Sequence, residues 1–178
     1  MSIAADAAVL ALPERAPHLA ETAFVASGAR IVGAVTLGDR ASVWYNAVLR
    51  ADSAPITVGD RSNLQDNVSV HVDAGSPVVI GEDVSVGHNA VVHGCTIENG
   101  SLIGMGAVVL SGAVIGAGSL VAGGALVLGG TIVPPGSLVA GVPAKVRREL
   151  SDEEKVGLLR NAAVYLEHSR THAEATPI

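Results

Sequence analysis

The sequence predicts an all-β chain wound as a parallel β-helix and closed by one C-terminal α-helix. Three observations carry this. An aliphatic residue recurs every six positions, 21 glycines punctuate the recurrence, and only 2% of the residues are aromatic. A helix would space its apolar residues three and four apart, and a plain strand two apart. A period of six fits short strands joined by sharp corners. Three such units close one triangular coil of about 18 residues, with strands stacked about 4.8 Å apart along the axis.

Residues 1–20 read as a lead-in that caps or approaches the first coil. Residues 21–148 carry the hexapeptide repeat. Its first run is Val25, Ile31, Leu37, Val43 and Leu49. After ADSAP it resumes as Val58, Leu64 and Val70, and after VDAGSP as Ile80, Val86 and Val92. The phase slips by one residue at Gly94-Cys95, then continues through Ile97, Ile103, Val109, Ile115, Val121 and Val127. Glycine follows the aliphatic in pairs such as Val58-Gly59, Ile80-Gly81 and Ile103-Gly104, as tight corners require. The scarcity of rings points to a narrow interior filled by Val, Ile, Leu and Ala.

Residues 149–178 change character. Ser151 and Glu154 form a Ser-x-x-Glu capping box. Val156, Leu159, Ala163 and Leu166 then recur at helical spacing to about residue 170, an apolar stripe expected to lie on the outer wall of the coil. The tail HAEATPI reads as frayed.

The formal charge of −6 offers no basic stripe for nucleic acid. A single cysteine, Cys95, excludes an internal disulfide and is compatible with a reducing compartment. The opening MSIAADAAVLALPER lacks the basic region of a signal peptide, and glycine and polar residues interrupt every apolar span. A cytoplasmic protein with no membrane partner is the expectation.

The register also sorts the histidines. His71 follows Val70 and His93 follows Val92, each the third unit of its triplet, so the two should stack on one side of the prism in neighbouring coils. At that spacing two imidazoles can meet one ion at about 2.0–2.1 Å. His88 stands two after Val86, near a corner of another side. One chain should not bring all three together, but a neighbouring subunit could present its His88. Such a contact is head-to-tail and closes as a ring, and a three-sided prism suits a threefold one. His18, His168 and His172 fit no such geometry and are expected to face solvent. Cys95 reads as a small corner residue.

The stretches VWYNAVLRAD, VGDRSNLQDNVSVHVD, IGEDVSVGHNAVVHGCTI, LIGMGAVVL and LSDEEK closely resemble the γ-class carbonic anhydrases and their carbonic-anhydrase-like relatives. The resemblance implies a left-handed parallel β-helix assembled as a homotrimer. It implies that His71, His88 and His93 ligate zinc, with His88 supplied in trans, and that the substrate pair is carbon dioxide and bicarbonate. In this family a metal-bound hydroxide attacks carbon dioxide, Gln65 matches the residue that orients the reactants, and Asn63 matches an active-site position. Tyr165 matches a tyrosine that reaches the site in some members. Arg50 and Asp66 match a charged pair across the subunit interface, with Asp52 beside them. Imidazole also suits iron and cobalt.

The sequence departs from the family pattern at Ser53, where a glutamate directly follows the aspartate in the best-characterised enzymes. The loop after His71 is short, with Asp73 its sole carboxylate. A slow proton relay is therefore expected. Two alternatives remain: a non-catalytic metal-bearing trimer, and a hexapeptide-repeat acyltransferase, which GVPAKVRR resembles where such enzymes end their coils.

Overall fold

The computed structural model describes residues 2–176. They form a parallel β-solenoid of about eight turns with one C-terminal helix, as the left-handed hexapeptide-repeat β-helix requires. The six-residue series decides what fills it. Every aliphatic of that series, from Val25 to Val127, is at most 2% exposed. Each contributes to one continuous cluster along the axis of the prism.

Three faces follow from the register. One stacks Phe24–Val25, Ser42–Val43, Asn63–Leu64, Ser85–Val86, Leu102–Ile103, Leu120–Val121 and Ser137–Gly141 in parallel. A second stacks Ser69–His71, Val91–His93, Val108–Val109 and Leu126–Val127. A third stacks Val78–Ile80, Thr96–Ile97, Val114–Ile115 and Ile132–Val133. The long strands Arg30–Leu37 and Val48–Val58 run from the second face onto the third, so these two form one sheet. Ladder partners sit 18 positions apart at Val121 and Val139, and 22 apart at His71 and His93, where VDAGSP is inserted. They sit 17 apart at Val92 and Val109, across the slip at Gly94-Cys95.

Glycine serves two separate needs. Immediately after the aliphatic, the next coil lies against the backbone: a Cβ on Gly104 would stand 2.4 Å from the backbone N of Gly123. Three positions after the aliphatic, the corner turns through positive φ. Gly106 does so at φ +67°, and Asn46, Asn67 and Asn89 occupy the equivalent corner in other coils.

The lead-in is a coil of its own. Ser2–Ile3, Ala8–Leu10 and His18–Leu19 pair in parallel with Phe24–Val25 and with the two ends of Arg30–Leu37. At the other end, Ser137–Gly141 turns back through an antiparallel strand, Ala144–Glu149, which delivers the chain to the helix.

The helix spans Asp152–Ala173, with Ser151 as N-cap and the capping box complete. It packs on the first face, over Ser42–Val43 and Ser85–Val86. Its inward line is not the expected one. Val156 and Leu159 are 55% and 52% exposed, Ala163 is exposed and Leu166 half-buried, whereas Leu158 and Ala162 are buried. The reason lies on the wall. Trp44 stands out from the first face, and Tyr165 meets it edge-on at 5.3 Å. Docking that ring turns Leu158, Ala162 and Tyr165 inward, at i, i+4 and i+7. All four aromatic residues, Phe24, Trp44, Tyr45 and Tyr165, gather outside the prism, so the core holds no ring. Of the tail expected to fray, residues 172–173 are helical, and Pro177 and Ile178 lie outside the described residues. Among the described residues no helix is long and apolar enough to cross a membrane.

Candidate functional site

His71 and His93 are direct ladder partners on the second face. The insertion VDAGSP lengthens the coil between them but leaves the strand phase intact, so both side chains leave the same wall at the same height in the turn. His71 Nδ1 lies 2.9 Å from His93 Nε2. On its far side, His71 Nε2 lies 3.1 Å from Asp52 Oδ1. A carboxylate only accepts, so this nitrogen carries the hydrogen and Nδ1 turns its lone pair toward His93. Arg50 pairs with the same Asp52. Loss of solvent pushes the Asp52 carboxyl up, but the hydrogen bonds from His71 and Arg50 outweigh it and hold the group below its ordinary range. His93 Nδ1 lies 2.9 Å from Ser111 Oγ, and Ser111 donates to Asp73 at 2.8 Å.

His88 occupies the corner after Ser85–Val86, just before Asn89 turns through φ +60°. Its Nδ1 lies 2.8 Å from Asp66 Oδ2, which leaves Nε2 as the lone-pair nitrogen. The Tyr165 hydroxyl reaches that Nε2 at 3.3 Å. Burial, and secondarily the charge of Asp66, raises the Tyr165 pKa, so the hydroxyl stays a donor at neutral pH. Asn63 and Gln65 lie on the first face, both buried. Gln65 Nε2 donates to Asn63 Oδ1 at 3.1 Å, and Asn63 Nδ2 donates to Ser85 Oγ at 2.9 Å. Among the described residues no donor reaches Gln65 Oε1.

The expected site residues thus separate into two groups on one chain. His71 and His93, with Arg50 and Asp52, stand on the second face. Asn63 and Gln65 lie on the first face, His88 and Asp66 at a corner, and Tyr165 on the helix over it. Among the described residues no three His, Cys, Asp or Glu side chains converge as a metal ligand set. Within the chain Arg50 binds Asp52, while Asp66 binds His88 and the Tyr45 backbone N–H, so Arg50 and Asp66 do not pair with each other. The donor chemistry nevertheless suits a cation. Two nitrogens that share a tetrahedral ion at 2.0–2.1 Å stand roughly 3.3 Å apart, and the facing nitrogens of His71 and His93 stand at 2.9 Å.

Sequence reasoning missed Ser111 and the place of Asp73. Ser111 was visible as a polar residue two after Val109, matching the position of Gly94 two after Val92. His168 and His172 are exposed as expected, yet their rings meet Trp44 at 6.4 and 5.0 Å, and His172 Nδ1 lies 2.8 Å from the Tyr45 hydroxyl. Cys95 is buried at its corner, and burial pushes its thiol up to about 12.

The family model described as bacterial transferase hexapeptide (six repeats) matches residues 94–129. A probable carbonic anhydrase of Methanocaldococcus jannaschii is 50% identical over 147 residues, covering 83% of this chain and 92% of that protein. This chain belongs to the γ-carbonic-anhydrase-like family. Within that family, the mitochondrial γ carbonic anhydrase 2 of Arabidopsis thaliana is 41% identical over 90% of this chain, which spans only 60% of the plant protein's length. A crystal structure of a hexapeptide transferase family protein from Anaplasma phagocytophilum superposes with a TM-score of 0.89 at 41% identity, covering 92% of this chain and 97% of that one.

Proposed function

We propose that this protein catalyses the reversible hydration of carbon dioxide to bicarbonate at metal sites shared between the subunits of a homotrimer. The observation that carries the reading is the pair of imidazole nitrogens, His71 Nδ1 and His93 Nε2, facing each other at 2.9 Å. His88, whose outward nitrogen is left as an acceptor by Asp66, is the third ligand and comes from the neighbouring subunit. Two relatives of high coverage bear the name carbonic anhydrase, which supports the same substrate. Three neutral imidazoles favour zinc, and iron and cobalt also suit them. When bound, the ion supplies a Lewis acid that makes water acidic near neutral pH, as in carbonic anhydrases at large.

The chain's own residues do the rest. Gln65 Oε1, which no donor reaches among the described residues, accepts the hydrogen of the attacking oxygen and fixes its direction. Asn63 and Ser85 hold the Gln65 amide still beneath the helix. Tyr165, whose hydroxyl lies 3.3 Å from His88 Nε2, would be placed to donate to the reacting oxygens. Arg50 and Asp66 pair across the interface that brings the halves together. Carbon dioxide gains one oxygen and leaves as bicarbonate, and one proton must leave the site in each cycle. Ser53 donates to the Val72 carbonyl at 3.1 Å, and a neutral hydroxyl is far too weak a base to take up that proton in place of a carboxylate. Proton release to solvent buffer then limits the rate.

Stopped-flow carbon dioxide hydration on protein of known metal content, beside a His93→Ala control, tests the reading. Equal rates in both samples would sink it. Full metal occupancy without hydration at any pH would leave a non-catalytic metal-bearing trimer, and acyl transfer from coenzyme A would replace it with a transferase.

A further inference from the structure

We infer that Ser111, held by Asp73, is a positioning residue that fixes the tautomer and ring angle of His93. The inference rests on the proposed metal reading only for its purpose, since the hydrogen-bond logic stands alone. A hydroxyl has one hydrogen to give. Ser111 gives it to the Asp73 carboxylate, which can only accept, at 2.8 Å. The Ser111 oxygen therefore has only lone pairs left for His93 Nδ1, 2.9 Å away. Nδ1 must carry the hydrogen, and Nε2 must present its lone pair. Nε2 is the nitrogen that faces His71, whose Nδ1 lone pair is fixed from the other end by Asp52. Two lone pairs facing each other at 2.9 Å repel unless a proton or a metal cation sits between them.

The backbone is built around this contact. Gly94 lies beside Ser111, and a Cβ there would stand 2.7 Å from Ser111 Oγ. Any other residue next to His93 would push the hydroxyl off the ring. The short loop VDAGSP is folded back on itself by the Ser76 N–H donating to the Asp73 carbonyl at 3.0 Å, with Gly75 at φ +78°. This tight turn brings the sole carboxylate of the loop within reach of Ser111, just after the strand Val108–Val109. The position that looks merely depleted of acidic residues thus supplies the far end of a Asp73–Ser111–His93 chain.

Imidazole tautomers of the metal-stripped full chain are read by long-range ¹H–¹⁵N correlation of labelled histidine. His93 is expected to keep a fixed hydrogen at Nδ1, Ser111→Ala should show a mixture of forms at that nitrogen, and Ser111→Thr should restore the fixed hydrogen. The cobalt affinity of Ser111→Ala should fall about 10- to 100-fold, with recovery in Ser111→Thr. An unchanged His93 tautomer in Ser111→Ala would overturn the assignment, as would an unchanged cobalt affinity in a protein that binds the metal. Failure of the unsubstituted protein to take up cobalt or zinc would instead refute the metal reading, while the tautomer result would still decide the role of Ser111.

Discussion

His71 and Asp52 form the hinge of the site: Asp52 Oδ1 takes the hydrogen of His71 Nε2 at 3.1 Å and so turns the other ring nitrogen toward His93. His88 has the same arrangement with Asp66 on a separate side of the prism. A carboxylate behind an imidazole selects which nitrogen is offered outward. Each carboxylate thus orients its imidazole on its own side of the prism, and the proposed site would need a neighbouring subunit to bring the two together.

If the sites are shared, subunits defective in opposite halves should complement. His88→Ala and His71→Ala chains are each expected to bind no zinc. Co-expressed in equal amounts, random assortment in a ring leaves about a quarter of the interfaces with both intact halves. Metal analysis of the purified mixture checks this; zinc content no higher than in either single variant would place the site within one chain.

Replacing Gln65 by Leu removes the free acceptor while leaving the proposed metal ligands alone. Zinc content should stay near that of the unsubstituted protein, while kcat/KM for carbon dioxide hydration falls by about 10- to 100-fold, the scale for losing one aligned transition-state hydrogen bond. Buffer dependence separates the proton step: kcat should climb with imidazole concentration, and a flat response would contradict release to solvent as the slow step.

Two neighbouring glycines should respond differently to substitution. At Gly106 a Cβ meets nothing within 4 Å, so Gly106→Ala bears only the cost of φ +67°, about 1–2 kcal/mol. Gly106→Asn should cost less, since Asn already fills that corner in other coils. Gly104→Ala forces a Cβ into the backbone of the next coil and should cost about 3 kcal/mol or more. Urea unfolding midpoints give the order, and a Gly104→Ala protein as stable as Gly106→Ala would contradict the packing account.

The helix start should loosen in acid. Arg148 grips the Glu154 carboxylate at 2.7 Å, and Ser151 closes the capping box, so Glu154 is held down to about 2 from an ordinary 4.5. A folded value below the unfolded one stabilises above pH 4.5, and that contribution fades as pH falls toward 2. Helical circular dichroism should therefore drop within this window, and Glu154→Gln should flatten the drop.

Cys95 should be silent toward thiol reagents in the native state. Its thiol is pushed up to about 12 against an ordinary 9.0, so it stays protonated and buried at neutral pH. The raised value adds stability below pH 9 that is lost as pH rises toward 12. Disulfide-exchange titration should find one reactive thiol only after denaturation.

Sequence alone determined the coil. A period of six is a local property, repeated in every turn, and it dictates which side chains point inward; Val25 through Val127 are buried for that reason. The same register places His71 over His93, because a loop that preserves phase cannot move a residue to another wall. Tertiary structure decided what the period leaves free. The helix turned Leu158 and Ala162 inward, instead of Val156 and Leu159, because its rotation is set by Trp44 on the wall beneath it. Asp73 reached Ser111 because the fold of a loop outside the repeat depends on contacts with coils distant in sequence, and no spacing rule encodes those.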